Sequence, residues 1–438
     1  MKGNGSLFVV LSSWAQGLAT NSELRTKNHE QKSAGFPNGL WSLLSMKRIA
    51  ILTLGIGSGH VRASSAVARA LEEGSTGVDV LALDAIEYAQ PWFRWLYVYP
   101  YWWMLRHARG LWGWLYERRH QQNHRGTAPH WVFRWGCRKV LRELQRFTPH
   151  LVILTEIGAA EIAALGRREG WVSAPLLAVQ TDFETEPPWV QPEIDFYCVG
   201  SEEARSQLIG WGTSPHRILV CGIPIDPVFA LRHDKPEILR SLGLAAERPV
   251  VLVMAGGMGP VPLDEVVLSL ERCGLPLQVI AVAGHDGEMR AKLESLKGKV
   301  ALDLRTLGWI ENVPELMAAA DLLVTKPGGL STSEALAAGL PMVLTNPIPG
   351  PEERHTRHLV RRGVALHARS SEEIPQIVLP LLRSTEKRAE MARRAKEMAR
   401  PDAAYAVAQV GRALLERATY IDLLASPGVG PNESAYVM

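Results

Sequence analysis

The chain has 438 residues, a formal net charge of +3 and 21% charged residues. That length suits two domains rather than one, and so small a net charge does not by itself argue for nucleic acid, which is not expected as a partner. No apolar run approaches the roughly 18–20 residues that a membrane span needs. The four cysteines, Cys137, Cys198, Cys221 and Cys273, show no CxxC spacing, which points to reduced thiols rather than a disulfide frame or a zinc site.

Residues 1–46 are polar, rich in Gly and Ser, and lack sustained periodicity. They read as a disordered extension, or as the product of a start placed too early, with Met46 the natural first residue. From Lys47 short apolar runs alternate with helical stretches. The runs Ile49–Leu54, Val78–Leu83, Leu151–Thr155, Leu176–Thr181 and Phe196–Val199 read as buried strands. A proline-containing break at Gly222–Pro227 ends that series. A second series follows, at Val250–Met254, Leu277–Val282, Leu302–Leu304, Leu322–Thr325 and Met342–Thr345. Strands of this kind between helices predict parallel sheets covered on both faces. The expected class is α/β, with two Rossmann-like doubly wound domains facing across a cleft. Residues 47–225 form the first domain, 226–247 a hinge and 248–420 the second. Thr385–Arg417 reads as a long charged helix or helix pair, and 421–438 as a disordered tail.

The segment 88–135 fits neither series. It interleaves Trp92, Trp95, Trp102, Trp103, Trp112 and Trp114 with Arg94, Arg106, Arg109, Arg118 and Arg119. Trp and Tyr suit a membrane–water interface, and arginine adds attraction to anionic lipid. This predicts docking on an anionic membrane surface; an aromatic core beneath a helical insertion is the competing reading.

Three motifs carry chemistry. Gly55-Ile56-Gly57-Ser58-Gly59-His60 joins a strand to a helix, where glycines allow close backbone approach and free N–H groups suit an anion. A dinucleotide loop would need glycine at the sixth position, which is His60, although Asp84 after the next strand could imitate the ribose-binding acid. An imidazole there has the pKa a general base requires; a histidine satisfied by its own loop is the alternative. Ala255-Gly256-Gly257-Met258-Gly259 repeats the strand-to-glycine design in the second series. The third motif runs from Gly308-Trp309-Ile310 to Lys326-Pro327-Gly328-Gly329-Leu330-Ser331-Thr332-Ser333-Glu334. A helix starting near Ser331 could hold a diphosphate, but Ser331-x-x-Glu334 also reads as a capping box.

These motifs, with Glu334–Pro341, Pro349–Glu353 and Thr181-Asp182, resemble the GT-B glycosyltransferases that include monogalactosyldiacylglycerol synthases, bacterial diacylglycerol glucosyltransferases and the peptidoglycan N-acetylglucosaminyltransferase. The resemblance runs from about Lys47 to Ala368 and is nearest to the glycolipid branch. It implies His60 as the catalytic base. It implies Gly57, Ser58, Gly59 and Gly257 along the diphosphate, Trp309 and Ile310 beside the uracil, and Gly328, Gly329, Leu330 and Ser331 on the phosphates. Glu334 would take the ribose, Glu352 and Glu353 would lie near the sugar, and Asp182 belongs to the site. The implied donor is UDP-glucose or UDP-galactose, the acceptor a membrane lipid, most of all diacylglycerol, and the location peripheral on the cytoplasmic face of the cell membrane. No cofactor is implied, and with no D-x-D in the chain no metal either. Pro351 stands where relatives carry glutamine, His355 where they carry asparagine, and Glu186-Pro187-Pro188-Trp189 where a histidine usually follows Thr-Asp. An epimerase on the same fold and a non-catalytic nucleotide-sugar sensor are the rival functions.

Overall fold

The computed structural model describes residues 46–74, 77–256 and 261–416. The chain divides at Met46/Lys47, and both sheets belong to the part from Lys47. The expectations for 1–45, for Gly257 and for the tail 421–438 lie outside the described residues.

Twelve strands among the described residues form two six-stranded parallel sheets. The first contains β1 (Lys47–Thr53), β2 (Val78–Asp84), β3 (Leu151–Leu154), β4 (Leu176–Val179), β5 (Phe196–Val199) and β6 (Ile218–Val220). Its order is β2-β1-β3-β4-β5-β6. The second contains β7 (Val250–Met254), β8 (Gln278–Val282), β9 (Asp303–Leu307), β10 (Leu322–Thr325), β11 (Met342–Leu344) and β12 (Ala365–His367). Its order is β12-β11-β10-β7-β8-β9. The strands are apolar throughout because helices cover both faces. In β1, Ile49 and Ile51 enter one core while Ala50 and Leu52 enter another. In β7, Val251 and Val253 part from Val250 and Leu252 in the same way.

Strand order reverses between β1 and β3 in the first sheet and between β7 and β10 in the second. In open α/β sheets the crevice beyond the strand ends at such a reversal is where ligands bind. The loops there are Leu54–Gly57, Thr155–Glu156, Ala255–Gly256 and Lys326–Gly328, so topology alone gathers three of the motifs.

Helix α1 (Ser58–Glu73) follows β1. A helical insertion connects β2 to β3, and it includes α2 (Tyr99–His107) and α3 (Arg109–Gln121). The aromatic segment is divided between core and surface. Phe93, Val98 and Phe133 are buried in the first domain's core, while Trp95, Trp103, Trp114, Trp131 and Trp135 are all more than half exposed. In the second half, α4 (Gly329–Ala338) follows β10 and α5 (Pro351–Arg361) follows β11.

The end of the chain corrects one boundary. Thr385–Met398 and α6 (Ala403–Glu416) are separate helices, and α6 does not stay with the second domain. Its Ala404, Val407, Ala408 and Val410 pack in the same core as Ile49, Ile51 and Leu71 of the first. Arg412 donates to the Ala70 carbonyl at 3.0 Å and Tyr405 to Glu73 at 2.6 Å. Periodicity shows that α6 has an apolar face but not which sheet that face will cover.

Candidate active site

The turn after β1 is held by Asp84, whose Oδ1 accepts from the Gly55 and Ile86 amides, each at 2.9 Å. A Cβ on Gly55 would stand 2.1 Å from Asp84 Oδ2, so the loop sits directly on this carboxylate. Asp84 is therefore an anchor of the glycine turn.

His60 is the third residue of α1. Its Nδ1 lies 3.1 Å from the Thr155 carbonyl and 2.9 Å from Thr181 Oγ1. These partners come from the ends of β3 and β4, not from the histidine's own loop. A carbonyl only accepts, so Nδ1 carries the proton and Nε2 is the bare nitrogen. Thr155 is itself fixed, its Oγ1 lying 2.7 Å from Ser64 Oγ. Burial holds the imidazole below its usual pKa of 6.5; the Asp182 charge and the Thr155 carbonyl offset this only in part. The ring is thus neutral at neutral pH, the state of a waiting base.

Asp182 faces the other way as well. Its Oδ1 pairs with His355 Nε2 at 3.0 Å, and His355 Nδ1 donates to the Pro327 carbonyl at 2.9 Å. Burial pushes the Asp182 carboxyl up, but His355 and His60 outweigh it and hold it below the usual range. Burial would lower His355, yet Asp182 keeps it raised. This ion pair ties Thr181-Asp182 of the first domain to Pro327 of the second.

Helix α4 begins at Gly329 with Gly328 as N-cap and no side-chain cap. Ser331 is therefore its third residue, and the proposed capping box does not form. Glu334 instead meets Arg62 of α1, Oε1 to Nη2 2.9 Å. Its Oε2 is buried without a partner. Burial, opposed by Arg62 and aided by Asp226, pushes its pKa up to about 7. Backbone proximity explains the glycines: a Cβ on Gly329 would stand 2.2 Å from the Thr181 carbonyl. Gly256, at φ +66°, would bring one to 3.3 Å from Ser331 Oγ. Across the cleft, a Cβ on Gly59 would touch Leu330 Cβ at 3.7 Å.

The loop after β11 ends at Gly350 (φ +88°), with Pro351 as the first residue of α5, a position where its fixed φ and missing N–H cost nothing. Glu353 Oε2 accepts from the Gly350 amide at 3.1 Å, so Glu353 caps its own helix. Glu352 pairs through Oε1 with Lys326 and accepts through Oε2 from the Ile348 amide at 2.8 Å. Trp309 is exposed and stacks on His285 at 4.2 Å, with Ile310 half-buried beside it after β9.

The structure thus brings Gly59 and Arg62 of α1 against Leu330 and Glu334 of α4, and Thr181 and Asp182 against Gly329 and His355. It turns Glu353 to its own helix. Sequence reasoning missed Arg62, Thr155, Lys326 and His355 as partners in the site. Arg62 carried a signal, lying half a turn from His60 on one helix; Thr155 carried none. Among the described residues no group of three or more His, Cys, Asp or Glu is placed to hold a metal.

Residues 60–225 match the family model for monogalactosyldiacylglycerol (MGDG) synthase, and residues 235–398 that for glycosyl transferases group 1. A processive diacylglycerol beta-glucosyltransferase of Bacillus licheniformis is 32% identical over 270 residues, 61% of this chain and 69% of that protein. Acinetobacter baumannii MurG superposes with a TM-score of 0.56 at 17% identity, covering 84% of this chain and 99% of MurG. A UDP-N-acetylglucosamine 2-epimerase superposes with a TM-score of 0.55 at 13% identity, covering 84% of this chain and 95% of its own. Two Rossmann-like domains meeting at their switch points are the GT-B fold of glycosyltransferases. Within that class the chain belongs to the monogalactosyldiacylglycerol synthase and diacylglycerol glucosyltransferase family, and is a glycosyltransferase of glycolipid synthesis.

Proposed function

We propose that this chain is an inverting transferase that moves a hexose from a UDP-sugar to a membrane lipid, diacylglycerol first. The observation that carries the reading is the His60 ring, locked by the Thr155 carbonyl with Nε2 bare, opposite the N-terminus of α4. Nε2 takes the proton of the acceptor hydroxyl as its oxygen attacks the anomeric carbon. The bond from that carbon to the diphosphate breaks, UDP leaves with the electron pair, and the anomeric configuration inverts. The amides of Gly329, Leu330 and Ser331 and the helix dipole receive the leaving charge, with Gly57, Ser58 and Gly59 opposite; the Gly328 amide is already given to the Lys326 carbonyl. The unpartnered Oε2 of Glu334 is an acceptor for a ribose hydroxyl. Trp309 and Ile310 flank the uracil, and Glu352 orients the sugar. In this scheme 47–225, joined by α6, receives the acceptor, 226–247 is the hinge and the second domain holds the donor.

A UDP-glucose and UDP-galactose panel with diacylglycerol vesicles, followed by lipid extraction and mass spectrometry, tests this. Hexosyl-lipid is expected, with the same yield in EDTA. An altered UDP-sugar without lipid product would establish the epimerase instead, which fold likeness alone does not separate. Complete loss in EDTA would defeat the helix-dipole account.

Among the described residues no helix is long and apolar enough to cross a membrane. We read the insertion as the docking surface of a peripheral protein on the cytoplasmic leaflet. Exposed tryptophans alternate there with exposed Arg106, Arg118, Arg134 and Arg138, and Arg118 and Arg138 lie over Trp114 and Trp135. Trp102 and Trp112 are half-buried against Tyr101, so they belong to the packing rather than the surface. Changing Trp95, Trp103 and Trp114 together to Ser is expected to abolish flotation with phosphatidylglycerol vesicles while circular dichroism stays unchanged. Undiminished flotation would remove the surface from the insertion.

A further inference from the structure

Helix α3 faces two ways. Leu111, Trp114, Leu115 and Arg118 are exposed. Arg109, Gly113, Tyr116, Glu117 and His120, at helical spacing on the other side, meet the loop 346–354 of the second domain. Arg109 donates to the Pro347 carbonyl at 2.7 Å. A Cβ on Gly113 would stand 2.9 Å from Pro349 Cβ, and one on Gly350 would stand 2.4 Å from Tyr116 Cδ1.

Arg354, in the first turn of α5, fastens this contact. One nitrogen donates to both Glu117 oxygens at 3.0 and 3.1 Å. The other donates to Glu184 at 3.0 Å and lies 3.1 Å from His120 Nε2. The guanidinium lies 5.6 Å from the Tyr116 ring centroid. A single exposed ion pair holds little. In this contact the arginine side chain is 11% exposed, both its terminal nitrogens are engaged while Nε is buried without a partner, and losing a carboxylate strands a buried charge.

We propose that Tyr116, Glu117 and Arg354 are positioning residues for the donor-sugar loop, so that α3, seated on lipid by its outer face, sets the loop that grips the hexose. The proposal rests on reading 346–354 as the sugar loop.

The test uses the full chain and two variants. Glu117→Ala removes the exposed half of the clasp, and Arg354→Lys keeps charge but loses the fork. Amide hydrogen exchange is followed by mass spectrometry with and without phosphatidylglycerol vesicles. In the parent, vesicles are expected to slow exchange in 346–354. In both variants exchange there rises by about tenfold and no longer responds to vesicles, while 250–254 stays unchanged. KM for the UDP-hexose is expected to rise about tenfold with little change in kcat or in the Kd for UDP. A general loss of structure would instead raise exchange everywhere. Unchanged exchange in 346–354, or vesicle protection confined to α3, overturns the proposal. Failure of the parent to bind UDP would strike the donor reading, and the exchange result would still decide the clasp.

Discussion

Replacing His60 by alanine is expected to lower turnover by about a hundred- to ten-thousandfold, the usual contribution of a positioned general base. The Kd for UDP should stay close to the parent value, because His60 meets Thr155 and Thr181 rather than the donor half. The pH profile supplies a second, independent sign. A base works unprotonated, and burial holds this imidazole below 6.5. In the parent, kcat at saturating donor should fall as pH drops through a pKa below 6.5. The variant's residual rate should lack that acid limb. Full turnover in the variant, with UDP still bound, would make His60 a structural residue. A parent that binds UDP-sugar yet transfers nothing to any lipid would favour the non-catalytic sensor.

The second large effect is at Glu334. Changing it to Gln is expected to weaken UDP binding by about ten- to a hundredfold, the worth of one or two hydrogen bonds to a charged acceptor. The buried, unpartnered Oε2 is the acceptor at stake. Arg62 is 39% exposed on its side chain, so water can take over the bond it loses. Two controls make the result specific. The carboxyl is neutral below its pKa of about 7 and ionised above it, so UDP affinity in the parent should rise as pH passes upward through that value and stay level in the variant. The parent should also prefer UDP over 2′-deoxy-UDP or 3′-deoxy-UDP, a preference the variant loses. Calorimetry that gives equal Kd values for parent and variant would assign Glu334 to the contact with α1 alone.

The backbone plan is largely written in local pattern. Phe196–Val199, Val250–Met254 and Leu322–Thr325 are strands over the residues their apolar runs mark, because a strand buried on both faces needs no partner to be recognised. Ile218–Val220 and Ala365–His367 carry no such mark. Both are three residues long and lie at sheet edges, where one side is unpaired and short runs carry no period. The capping-box spacing of Ser331 and Glu334 places the start of α4 three residues late. Tertiary contact decided otherwise: Gly329 must abut the Thr181 carbonyl, and Glu334 is drawn to Arg62.

By itself, then, the sequence determined the two β/α series, the glycine turns at their strand ends and the family to which they belong. These are local matters of burial period and backbone freedom. Only the tertiary structure decided what each polar group does. It assigned Asp84 to its own turn, Glu353 to its own helix, and the Thr155 carbonyl to His60 from a strand 95 residues away. It returned α6 to the first domain and set α3 against the loop 346–354. A carboxylate or an imidazole takes its role from whichever partner reaches it within hydrogen-bond distance, and chain spacing does not record that distance once the chain has crossed from one sheet to the other.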